Sequence, residues 1–253
     1  VCRLFGVLAN SPVNIQSSLL NNTNPFIRLS HKHNDGWGIG YLDYYGGRKS
    51  ARIIKAPHPA YRDKYFMELI KNLTSPLVII HLRDAKYGEV TIENTQPFYS
   101  HGWIFAHNGA IKDYREIDNV LADVNFEGET DSERYFQLIL KHIKEQGNAR
   151  EGIISAICWL KGNHFEGAKN FLLSDGERLY AYRDGRTLFY TKTNNKARTK
   201  KAVIVASEIL TQEKWHEIPE GCLVVIEKNL QVTVSPRISL KTILKSRISL
   251  PRF

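Results

Sequence analysis

Two helical stretches in the middle of the chain, with short apolar runs before and after them, constrain the fold most. Thr130-x-x-Glu133 has the form of a capping box. It opens a predicted helix through Gln146, with Tyr135, Phe136, Ile139, Leu140 and Ile143 inward. A second helix is expected over 149–160, with Ile153, Ile154, Ile157 and Leu160 on one face. Upstream, strands are expected at 4–8, 36–41, 52–56, 77–80 and 103–106. Tyr65, Phe66, Leu69, Ile70 and Leu73 give helical spacing to 59–73, and the Asn-, Ser- and Pro-containing stretch 10–24 reads as a loop. Glycines at 36, 38 and 40 mark a strand that a backbone or ligand approaches closely. Downstream, 170–173, 179–183, 188–191, 202–206 and 222–227 read as strands at hairpin spacing. Ser174-Asp175-Gly176-Glu177 and Arg183-Asp184-Gly185-Arg186 supply their turns. Helices between blocks of antiparallel strands define an α+β layered fold.

Composition narrows the class. A chain of 253 residues suits one large domain and buries an ample core. Apolar residues make up 42% and charged residues 24%, as in ordinary globular proteins. No segment has the apolar length of a membrane span, and residues 1–13 lack the pattern of a secretory leader. The three cysteines, Cys2, Cys158 and Cys222, are too few and too spread for a disulfide framework, which points to a reducing, cytoplasmic setting. No C-x-x-C spacing occurs, and His31, His33, His81, His101 and His107 come without an acidic helical motif, so no metal site is expected. The net charge of +9 gathers in Lys192, Lys196, Arg198, Lys200 and Lys201 and in a tail with Arg237, Lys241, Lys245, Arg247 and Arg252. Without a nucleic-acid motif this reads as a solvated loop and tail, so no nucleic-acid partner is expected.

Cys2, in Val1-Cys2-Arg3-Leu4-Phe5-Gly6-Val7, has two readings. It is either a small buried hydrophobe beside the first strand or, with Val1 removed, a residue carrying both a thiol and a free α-amine. An α-amine titrates near ~7.7–8.0, so it is a ready base at neutral pH.

The order of several motifs resembles that of class II glutamine amidotransferases, the N-terminal-nucleophile hydrolases. Cys2-Arg3-Leu4-Phe5-Gly6, His33-Asn34-Asp35-Gly36-Trp37-Gly38-Ile39-Gly40 and His81-Leu82-Arg83 carry the first part. Asn94-Thr95-Gln96-Pro97-Phe98, Ala106-His107-Asn108-Gly109-Ala110 and Thr130-Asp131-Ser132-Glu133 carry the middle. Val205-Ala206-Ser207-Glu208, Trp215 and Ile218-Pro219-Glu220-Gly221 resemble the end of the short stand-alone members. The likeness extends from Cys2 to about residue 225. It implies a four-layer αββα sandwich, two antiparallel sheets between helix layers, within a domain of residues 1–235. It further implies Cys2 as nucleophile, Asn108 and Gly109 as oxyanion hole, Arg83 on the substrate α-carboxylate and Asp131 on its α-ammonium group, with no cofactor. Asn108-Gly109 on its own also reads as a hairpin turn, and Asp131 as an acid at a helix start.

Two positions depart from the pattern. Lys86 stands where many relatives have a threonine, exchanging a hydroxyl for a charge beside the pocket, and Gln96 stands where many have histidine. Val1 reads as an initiator decoded from GUG, whose removal exposes Cys2. The expected activity is glutaminase or amidotransferase chemistry, with ammonia passed to a partner enzyme or released. A γ-glutamyl amide hydrolase acting on a larger metabolite is the second reading. A silent glutamine-binding or scaffold subunit is the third, should Val1 be retained. The basic tail, 236–253, is expected to dock on a partner or a second copy of the chain, or to pack on its own domain.

Overall fold

The computed structural model describes residues 2–20, 25–45, 48–193 and 200–240. The chain opens with β1 (Arg3–Asn14), α1 (Gln16–Leu20), β2 (Gly36–Tyr45), β3 (Arg48–Ala56), α2 (Lys64–Asn72) and β4 (Thr74–Arg83). Next come β5 (Phe98–Ser100), β6 (Trp103–Gly109), α3 (Asp131–Gln146) and α4 (Ala149–Gly162). It continues with β7 (Lys169–Ser174), β8 (Leu179–Tyr182), β9 (Phe189–Lys192), β10 (Ala202–Ala206), β11 (His216–Glu217), β12 (Leu223–Ile226) and β13 (Val232–Val234). Among the described residues, one sheet has the order β11-β9-β10-β1-β4-β2-β3 and the other β13-β12-β8-β7-β6-β5. The pairings in both are antiparallel.

Three apolar layers account for the stacking. Leu4, Leu8, Ile79, Ile104, Ala106, Leu172 and Val205 fill the space between the sheets. Phe5, Val7, Ile39, Ile80 and Ile204 face the other way and pack on Leu19, Phe66 and Ile70 of α1 and α2. Phe105, Phe171 and Tyr182 pack on Tyr135, Ile139, Ile153 and Ile157 of α3 and α4. The alternation of side chains along each strand puts one sheet face in each layer. The result is the αββα sandwich expected above.

Local expectations meet several corrections. The strand at the chain start runs on to Asn14 and is followed by α1, where a loop over 10–24 was expected; residues 21–24 lie outside the described set. In α2, Phe66 and Ile70 are buried but Tyr65 is exposed, because Asp63 caps the helix by accepting from the Tyr65 and Phe66 N–H groups and turns Tyr65 outward. Only half of the capping box forms. Thr130 accepts from Glu133 N, while the Glu133 carboxylate turns to Glu127 N and Gly128 N at 2.7 and 2.9 Å. The turn at 174–177 closes the β7–β8 hairpin, whereas 183–186 hands the chain from β8 in one sheet towards β9 in the other. Ile238 of the tail is buried in the α3–α4 layer and bonded through its N–H to Gly221 O; residues 241–253, Lys196 and Arg198 lie outside the described residues.

His81 ties the two sheets directly behind the end of β4. Its Nε2 donates to the His107 carbonyl on β6 at 3.2 Å, and burial pushes its pKa down to about 3. Burial also lowers His107. His81 is held neutral in the folded chain down to about pH 3, whereas an unfolded histidine protonates near pH ~6.5. The unfolded chain therefore binds more protons below that pH, and stability falls with falling pH until the folded-state value is reached. For His81 the expected slope between pH 6 and 5 approaches about 1.4 kcal/mol per pH unit. Urea unfolding at pH 7.5, 6 and 5 measures it, and His81→Gln should flatten it; a pH-independent midpoint would contradict the assignment.

Candidate active site

The end of β1 where the chain enters, the ends of β4 and β6 and the start of α3 meet at one edge of the sandwich. Arg3 pairs with Leu82, so by register Cys2 lies opposite Arg83. Alternation gives Cys2 the same facing as Leu4, into the space between the sheets. Cys2, Arg83, Gly109 and Asp131 line one cavity, together with 84–87, Asn94, Gln96, Thr130 and Ser132. Its volume is about 20 Å³, room for roughly one water molecule.

Segment 84–88 closes the cavity. Cys2 Sγ lies 3.4 Å from Asp84 N, which donates to it, and 3.5 Å from Asp84 O. Arg83 Nη2 donates to the Tyr87 and Gly88 carbonyls at 3.3 and 3.2 Å. Its Nη1 is buried with no hydrogen-bond partner among the described residues. Asp35 fixes the root of this segment, with its carboxylate accepting from Ala85 N at 2.8 Å and its N–H donating to Arg83 O. Burial pushes the Cys2 thiol up to about 12; Asp131 adds to this and Arg83 opposes it. The thiol is therefore neutral at rest, and a base has to remove its proton.

Asn108-Gly109 ends a strand and forms no hairpin turn. Asn108 lies opposite Asn170 and Gly109 opposite Lys169. His107 N donates to Gln96 Oε1 at 2.6 Å, on the edge of β6 away from β7, while Ala110 N donates to Ala168 O on the β7 side. N–H directions alternate along a strand, so the Gly109 N–H shares the His107 edge, where the cavity lies. The Asn108 side chain faces the space between the sheets, beside Ser207, with Nδ2 donating to Ser207 Oγ at 3.4 Å. Its Oδ1 is buried with no hydrogen-bond partner among the described residues, and Asn108 is not among the cavity-lining residues. Four of the five expected residues thus share the cavity and the fifth stands behind it.

Asp131 is held by the helix start and by Ile111 N, which donates to Oδ2 at 2.8 Å. His107 sits 3.8 Å from the same oxygen, accepts from the Ser132 hydroxyl at Nδ1 and donates from Nε2 to Ala168 O. It links the Asp131 end of the site to the Asn108-Gly109 strand. Ser207 Oγ also accepts from Leu4 N at 2.9 Å, and Arg3, paired with Glu208 at 2.7 Å, donates to the Cys2 carbonyl. These supporting contacts of Asp35, Gln96, Ser132 and Ser207 were not foreseen as such; the residues were marked by membership of the motif runs, and Gln96 also by its departure from the pattern. His31 stacks on Tyr61 while His33 is buried near Asp84, and among the described residues no His, Cys, Asp and Glu group is arranged to hold a metal. No helix among the described residues is long and apolar enough to cross a membrane.

The profile of the class-II glutamine amidotransferases matches residues 1–194, and the chain belongs to this family. An uncharacterized protein of Methanocaldococcus jannaschii is 29% identical over 94% of this chain and 73% of its own length. YafJ of Escherichia coli, named as a glutamine amidotransferase, is 32% identical over 72% of each chain. The solved structure of a glutamine aminotransferase class-II domain protein from Silicibacter pomeroyi superposes with a TM-score of 0.67 at 21% identity, covering 92% of this chain and 98% of the other, which bears on the fold alone.

Proposed function

We propose that the protein hydrolyses a γ-glutamyl amide, glutamine being the simplest, through a thioester on Cys2. The observation that carries this is the meeting of Cys2, Arg83, Gly109 and Asp131, remote in sequence, around one cavity. The free α-amine of Cys2 takes the thiol proton, directly or through a water, as the sulfur adds to the amide carbon. The C–N bond breaks, the proton passes to the departing ammonia, and the glutamyl thioester remains. Water then adds to the same carbon, the C–S bond breaks, the thiol regains a proton, and glutamate leaves. The tetrahedral oxyanion is held by the Gly109 N–H and, after it turns from Ser207, by the Asn108 carboxamide; one such donor contributes about 3–4 kcal/mol. The reading requires Val1 to be removed, because an acylated nitrogen is no base.

Arg83 takes the α-carboxylate. The carbonyls of Tyr87 and Gly88 now bonded to its fork stand in for the two carboxylate oxygens, and substrate displaces them as segment 84–88 opens. Asp131 accepts from the α-ammonium group. Ammonia goes to an acceptor enzyme or is itself the product. Steady-state ammonia release from glutamine tests the reading. Arg83→Lys keeps the charge and loses the fork, and Asp131→Asn loses the charge; each should lower kcat/KM by about 10- to 100-fold. Unchanged kcat/KM in both variants would remove these two residues from the substrate site.

A further inference from the structure

Resting on the reading just given, we propose that Lys86 selects γ-glutamyl amides whose leaving amine carries a carboxylate, that is, γ-glutamyl amino acids or peptides. The charged groups that line the cavity are Arg83, Asp84, Lys86 and Asp131. An α-amino acid head uses one cation and one anion, Arg83 and Asp131. Asp84 is turned to His33, with Oδ2 at 3.9 Å from Nδ1. Lys86 is left over. It is exposed, and among the described residues it forms no ion pair or hydrogen bond. Tyr87 packs on Tyr114 at 5.1 Å, and the Arg115 guanidinium lies over the same Tyr114 ring at 5.6 Å. Free glutamine offers no second anion for this rim, since its departing group is neutral ammonia. A substrate with a carboxylate beyond the scissile amide does. The buried Arg83 fork suits the planar carboxylate of the head, whereas a flexible exposed ammonium suits a group that leaves with the product.

The test compares γ-glutamylglycine with γ-glutamylglycinamide, which differ only in the charge of the leaving amine. Binding of each to Cys2→Ala protein, which cannot turn them over, is measured by calorimetry at low and moderate salt. The carboxylate ligand should bind about ten-fold tighter, the size of one charge-assisted hydrogen bond at an exposed site. Added salt should shrink that preference. Lys86→Gln should bring the two ligands to about equal affinity, and Lys86→Arg should keep most of the preference. Equal affinities in the Lys86 protein would overturn the proposal, as would a preference that survives Lys86→Gln. So would a loss that Lys86→Gln imposes equally on both ligands, which would make Lys86 a second clamp on the amino-acid head. Failure of both ligands to bind would overturn it as well. Whether Cys2 is the nucleophile is decided separately, by covalent labelling of the protein with its thiol intact.

Discussion

Cys2→Ala should eliminate turnover, by at least about 10⁴-fold, and a glutamine analogue with an electrophilic side chain should add one equivalent to the protein, on Cys2. Thiol acidity alone does not make this choice. All three cysteines are buried, and burial pushes Cys2 up to about 12 and Cys158 to about 11. Simple alkylating agents should therefore react slowly with every cysteine. The difference lies in the neighbours. Cys158 sits in α4 with its thiol near the Ser239 carbonyl, among apolar side chains. Cys2 has Arg83 opposite it and Asp131 and Gly109 around the same cavity, so on the proposed reading an amino-acid head should bring the electrophile to this one sulfur. Intact mass and peptide mapping read both parts of the prediction. The mature chain should begin at Cys2 and the label should lie there. Label on Cys158 or Cys222 would refute the nucleophile. A retained Val1 in active protein would refute the α-amine as base.

The two central helices, α3 and α4, were legible because their signals are local, whereas the short α1 lay in a stretch read as loop. Thr130 and Asn148 accept from the N–H three residues on, and the apolar faces of α3 and α4 follow the helical period. The partition of strands between sheets was not. Two similar turns, 174–177 and 183–186, have different outcomes: one closes a hairpin and the other crosses between sheets. The strands β7 and β8 beside them, and β10 further on, are buried along their whole length. Such strands show no polar alternation, so nothing in them says which face meets which layer. The candidate site divides the same way. Its residues were selected by motif order, and the fold then sets Cys2, Arg83, Gly109 and Asp131 around one cavity. The turn of Asn108 to Ser207 was beyond reach, because it joins residues 99 apart through the gap between two sheets. So was the clasp of Glu133 on Glu127 N and Gly128 N, where a backbone bend offered the carboxylate two donors in place of one.

Gly109→Ala has the second large effect, on stability and activity together. A Cβ at this position would lie 1.8 Å from Ala168 O and 2.4 Å from His107 Nε2. Neither can yield cheaply. Ala168 O accepts from both Ala110 N and His107 Nε2, at 3.1 Å each. Pushing β6 off β7 strains both bonds and moves His107, which is tied through Ser132 to the start of α3. The glycine is thus demanded by the close approach of its own neighbouring strand, in addition to whatever substrate requires. The expected destabilisation is about 3 kcal/mol, the upper part of the range for overpacking. A displaced Gly109 N–H should also lower kcat about 10²- to 10³-fold in whatever protein remains folded. Gly162→Ala, at the last position of α4, is the control. Among the described residues its Cβ would meet Leu240 Cδ2 alone, at an ordinary 3.5 Å, and the change should stay within about 1 kcal/mol. Urea unfolding and ammonia release on the two variants separate the cases. A stable, active Gly109→Ala protein would mean that β6 and β7 are not held this close at the site and that the N–H at 109 does not serve the oxyanion.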